Sequence, residues 1–125
     1  MDPTLRQRLE LFRTMDEVPA GVVDLVEDEL VRVDPAGRLS DDSAGMFVSH
    51  AVMAFSRLLG DEDPVDAPSD AVFDQVLTED PTALARAGAL AERARQRLGR
   101  ALPDAEVKYL TIHLAVLAQH LSKEN

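Results

Sequence analysis

The apolar residues of this chain recur almost throughout at spacings of three and four, and no segment reads convincingly as a strand. That period belongs to helices with one buried face, whereas a half-buried strand alternates residue by residue. The C-terminal part shows it best. Pro103, Asp104 and Glu106 suit a first helical turn, because proline lacks an N–H there and acids favour the positive end of the helix dipole. Val107, Leu110, Leu114, Leu117 and Leu121 then form one apolar face. His113 lies on its edge between Leu110 and Leu117, with Glu106 two turns before it and His120 two turns after it.

Taken in order, the chain punctuates itself into about six helices. Asp2-Pro3 starts an amphipathic segment with Leu5, Leu9 and Phe12 as its stripe. Val18-Pro19-Ala20-Gly21 breaks it. A second helix is expected over roughly Ala20 to Val33, with Val22, Val23, Val26, Leu30 and Val33 inward and Asp24, Glu27, Asp28 and Glu29 on a solvated face. After the turn Asp34-Pro35-Ala36-Gly37, a third is predicted over Asp41 to Leu59. Its core face reads Phe47, Ala51, Ala54, Phe55 and Leu58, and beside it runs a stripe of Met46, His50, Met53 and Arg57, with Gly60 as its C-terminal glycine.

The acid- and proline-rich stretch 61–69 reads as a loop. Ser69 or Asp70 caps a short fourth helix with Val72, Phe73, Val76 and Leu77 inward. Asp80-Pro81 restarts the chain into a fifth, with Leu84, Ala87, Leu90, Ala91, Ala94 and Leu98 on one side. Gly99 ends it. The expected fold class is therefore all-α, a compact bundle of about five to six helices. Residues 1–17 are expected to form an N-terminal helical extension ahead of a domain spanning residues 18–125.

Composition excludes several functions. The chain has 125 residues, enough for one core, and no cysteine, so thiolate chemistry and disulfides are out. A formal net charge of −10 opposes a phosphate backbone, and no aromatic-basic strip offsets it; direct nucleic-acid binding is not expected. No apolar run approaches a membrane span and no secretory leader is visible, so the expected location is the cytoplasm, with no membrane partner.

The residues that could carry chemistry are few. There is no phosphate-binding glycine loop, no nucleophile elbow and no Glu-x-x-His pair for a di-iron bundle. Glu106, His113 and His120 share a face, but residues seven apart lie about 10 Å apart along a helix and do not readily reach one small ion. No metal and no cofactor is expected. Histidine titrates near neutrality and serves as a nucleophile, which makes His50 and His113 the candidates; the bland reading is a hydrogen-bonded boundary residue in each case. His120, in the last turn, suits the helix C-terminus. An acid–base pair of His113 with Glu106 in a small hydrolase or lyase is a weaker reading.

The two histidine-bearing stretches resemble the two hallmarks of the PTS regulation domain (PRD) family. That family's helical domains occur in transcription regulators controlled by the sugar phosphotransferase system. The first hallmark, a histidine followed seven residues later by arginine, reads SHAVMAFSR with His50 and Arg57 in place. The second reads LPDAEVKYLTIHL, with Leu102, Pro103, Glu106, Tyr109 and His113 in place, preceded by ARQRLGRALP as the family's helix and glycine turn. The likeness spans roughly Val18 to Ser122.

It implies a non-enzymatic regulatory domain that senses sugar uptake. His50 and His113 would be phosphoacceptors and Arg57 and Glu106 their supporting companions. The implied partners are a second copy in a homodimer, the phosphocarrier HPr or a sugar-transporter subunit as phosphoryl donor, and a separate regulatory protein. Family members usually carry two such domains behind a nucleic-acid-binding module. Residues 1–17 are too few for such a module, so a free-standing domain is expected. The alternative is a structural or dimerisation module with vestigial, unphosphorylated histidines.

Overall fold

The computed structural model describes residues 1–60, 62–63 and 66–123. Helical periodicity is realised as six helices: α1 (Pro3–Arg13), α2 (Val22–Val33), α3 (Asp41–Leu59), α4 (Asp70–Glu79), α5 (Ala83–Leu98) and α6 (Asp104–Lys123). Among the described residues there is no strand. The loop expected over 61–69 includes residues 61, 64 and 65, which lie outside the described residues.

The boundaries follow from local chemistry. The Asp2 carboxylate accepts the Leu5 N–H at 3.0 Å, with Pro3 opening α1. Ser40 and Ser43 cap the start of α3 reciprocally, each side chain taking the other's backbone N–H. Ser69 accepts the Val72 N–H at 3.2 Å to open α4. Each such cap is worth about 1 kcal/mol. Gly99 ends α5 at φ 81°, in the left-handed region that other residues avoid, and donates to the Arg95 carbonyl. Gly60 closes α3 differently, at φ −86°, a conformation open to any residue.

One continuous core joins α1, α2, α3, α5 and α6. Phe47 and Phe55 are its largest side chains, and Leu25, Leu90, Leu110 and Leu117 are buried in the same cluster. α3 packs on α1, α2 and α6, while α6 packs on α3, α4 and α5. The segment expected as an extension belongs to this core: Leu5 and Leu9 of α1 are 2% and 0% exposed. The Arg8 guanidinium fastens α1 to α3 through both Asp41 carboxylate oxygens, at 2.7 and 2.9 Å, and the Ser49 hydroxyl.

Three expectations about faces are corrected. Glu29, assigned to a solvated face of α2, is buried, because α5 brings the Arg93 guanidinium against both of its oxygens. Leu84, assigned inward on α5, is exposed, and Ala83 takes the buried place. α4 has no buried residue: it lies on the outside of α5 and α6, with Val72 exposed and Phe73, Val76 and Leu77 half-buried. Phe73 meets α6 through the Lys108 ammonium, 5.4 Å from its ring centroid.

Candidate functional site: a histidine pair on the α3–α6 seam

The seven-residue spacing within each hallmark stretch puts its two key side chains on one helix face. The two faces meet. His50 on α3 stacks obliquely on His113 of α6, with ring centroids 4.8 Å apart. Two turns further along α3, Arg57 meets Glu106, two turns earlier on α6, and its Nη2 donates to Glu106 Oε2 at 2.7 Å. The pairings run in opposite directions along the two helices, so α3 and α6 are antiparallel. Tyr109, one turn before His113, adds a second ring contact to His50 at 5.3 Å.

Glu106 lies deepest. Its side chain is 2% exposed, against 22% for Arg57 and 19% for His50. Glu106 Oε1 and His50 Nε2 are both enclosed, neither has a hydrogen bond, and they face each other across 3.8 Å. That gap exceeds a hydrogen bond but is short enough for strong charge coupling. Arg57 Nε is likewise enclosed without a partner, so the guanidinium keeps a donor beyond the one Glu106 uses.

Burial governs the histidines. Desolvation lowers the His50 pKa most, with Glu106 opposing and Arg57 adding to the shift. Desolvation, helped by the neighbouring His50, lowers His113 to about 4. Both imidazoles are therefore neutral at physiological pH, each with an unprotonated ring nitrogen to offer an electrophile.

The structure thus gathers His50, His113, Arg57 and Glu106 at one seam. The acid–base pairing of His113 with Glu106 does not form, because Glu106 is engaged by Arg57 on the other helix. Glu106 does border a hollow of about 220 Å³ with Arg57, Leu58, Arg100 and Pro103, but His113 lies outside it. Among the described residues, no three His, Asp or Glu side chains converge as a metal would require. His120 is half-buried in the last turn of α6. The direct Arg57–Glu106 bond was not foreseen from sequence. Its signal was present in the order of the motifs, histidine before arginine on one helix and glutamate before histidine on the other, which is what antiparallel helices need to match both pairs.

No family model, curated protein or solved structure matches the chain.

Proposed function

We propose that the chain is a regulatory domain of the PRD type, one that accepts a phosphoryl group on His50 or His113 and passes the charge change to a dimer or partner contact. The observation that carries this reading is the pairing of the two histidines, ring to ring, beside an Arg57–Glu106 ion pair. Neutral imidazoles support it, since phosphoryl acceptance needs an unprotonated nitrogen. In the step itself the bond between phosphorus and the donor's side chain breaks, the donor side chain leaving with the electron pair, as a phosphorus–nitrogen bond forms on the acceptor ring. No substrate is turned over.

The consequence is electrostatic. A phosphoryl group brings about −1.5 to −2 charges against the enclosed Glu106 carboxylate. Arg57 is the neighbouring cation, and a phosphate competes with Glu106 for its fork. Loss of the Arg57–Glu106 bond would strand Glu106 and loosen the α3–α6 seam, giving a two-state element biased by local charge. Met46, one turn before His50 on the same stripe, is 72% exposed. It offers an apolar contact beside the histidines for the donor or for a second copy of the chain.

Intact-mass spectrometry at neutral to alkaline pH tests the reading, after incubation with phosphoenolpyruvate, enzyme I and HPr, and separately with the host's sugar-transporter subunits. An acid-labile phosphoryl adduct that diminishes in His50→Ala or His113→Ala is the expected result. No adduct with any donor would assign the bundle to a structural or dimerisation role.

A further inference from the structure

A second feature lies on another side of α6, where residues of α2, α5 and α6 line one groove. A groove of about 460 Å³ opens there, within the range of sites that hold small organic ligands. Its floor is the core itself: Leu90, Leu114 and Leu117 border it and are 1–3% exposed. It stays open because small side chains, Ala89 of α5 and Ala118 of α6, stand where larger ones would have closed it.

The polar groups at this groove are predominantly cationic. Arg32, Arg86 and Arg93 border it with Glu29 as their counterpart. Glu29 is buried and held by Arg93 on both oxygens, with Arg32 at 3.6 Å. Arg86 binds Asp80 through Nη2, while its Nε is enclosed with no hydrogen bond. Three guanidiniums and one carboxylate thus line the groove, and even with Asp80 counted against Arg86 one positive charge is in excess there, on a chain whose formal net charge is −10. An anion is repelled by the protein as a whole and favoured at this place.

From the apolar floor and the cationic rim we infer that this groove is a binding site for an amphiphilic small-molecule carboxylate, its hydrocarbon body on the α5–α6 floor and its head group at Arg86. The inference is independent of the histidines. A neutral amphiphile of the same shape would gain the floor but leave the rim's excess positive charge uncompensated. A cationic one would meet like charge.

Isothermal titration calorimetry with decanoate and decyltrimethylammonium below their micellar concentrations, and with decanol below its solubility limit, tests this on the wild-type chain and on Arg86→Gln and Ala89→Trp. Ala89 is exposed at the rim, so the tryptophan can fill the groove without entering the core, and circular dichroism checks that both variants stay helical. Decanoate is expected to bind saturably with one equivalent, at least about tenfold tighter than decanol, with no binding of the cation. Arg86→Gln should erase the preference for decanoate, and Ala89→Trp should abolish binding. Equal binding of all three amphiphiles, undiminished binding to Ala89→Trp, or no saturable decanoate binding would overturn the assignment. So would a dimer in sedimentation that Ala89→Trp dissociates and decanoate does not, which would give the groove to a second copy of the chain.

Discussion

At the scale of single residues, the most consequential side chain is Glu106, an enclosed carboxylate stabilised from across a helix interface by Arg57. Removing one member of such a pair strands the other. Arg57→Ala is therefore expected to cost about 3–5 kcal/mol of stability. Glu106→Gln, which keeps shape and an acceptor, should cost about 1–3 kcal/mol; urea unfolding of the two variants checks both. The same pair tunes His50, and the signs differ. Arg57 lowers the His50 pKa and Glu106 raises it, so NMR titration should find it higher than wild type in Arg57→Ala and lower in Glu106→Gln.

His113 makes folding itself depend on pH. Its native pKa of about 4 lies below the ordinary 6.5, so below pH 6.5 the unfolded chain binds a proton that the native chain refuses. Stability is then full above pH 6.5 and declines as pH falls toward 4, with His50 contributing in the same direction. His113→Gln should flatten the decline between pH 6.5 and about 5, above the range where carboxylates begin to protonate. An unchanged slope of urea midpoint against pH would show that the ring is not shielded from solvent.

Among the helices, α1 and α3 are joined where a glycine and an arginine fit together. A Cβ built on Gly45 would lie 2.9 Å from Arg8 Nη2, and Arg8 is pinned by Asp41 and Ser49. Glycine normally weakens a helix by about 0.5–1 kcal/mol relative to alanine. Here that gain is cancelled by the displaced guanidinium. Gly45→Ala should leave the stability of the native chain about unchanged yet stabilise an Arg8→Ala background by about 0.5–1 kcal/mol, a double-mutant cycle that denaturation can close.

The elements also show what the sequence makes legible. Spacing and caps place α3 over Asp41–Leu59 and end α5 at Leu98, because Ser40, Asp80-Pro81 and Gly99 act locally. Faces are harder. Glu29 looks like one acid among several on α2, and only α5, remote in sequence, supplies the Arg93 that buries it. Val72 fits an inward stripe by period, but α4 sits outside the bundle with too few neighbours to cover it, and Leu84 yields the buried place at the start of α5 to Ala83. The histidines follow the same division. Their helix faces are readable from sevens; their meeting at 4.8 Å depends on how α3 and α6 pack, which no local pattern encodes.

For the whole molecule, the continuous core implies that α1, α2, α3, α5 and α6 unfold together. α1 is part of it through Leu5 and Leu9. Leu9→Ala should therefore lower one shared transition by about 2–5 kcal/mol, followed alike by far-ultraviolet circular dichroism and by Tyr109 fluorescence. A separate early melting of α1 would show instead that the first helix is only an appendage.

The antiparallel meeting of α3 and α6 has a further consequence during synthesis. His50 and Arg57 leave the ribosome long before Glu106 and His113. Until α6 is made, His50 is an ordinary hydrated imidazole, and Arg57 has no buried carboxylate to hold. The paired site comes into being only as a late, long-range closing event in folding. A nascent or prematurely ended chain displays half of the motif without its companion, so the site's distinctive electrostatics are themselves a mark of a finished molecule.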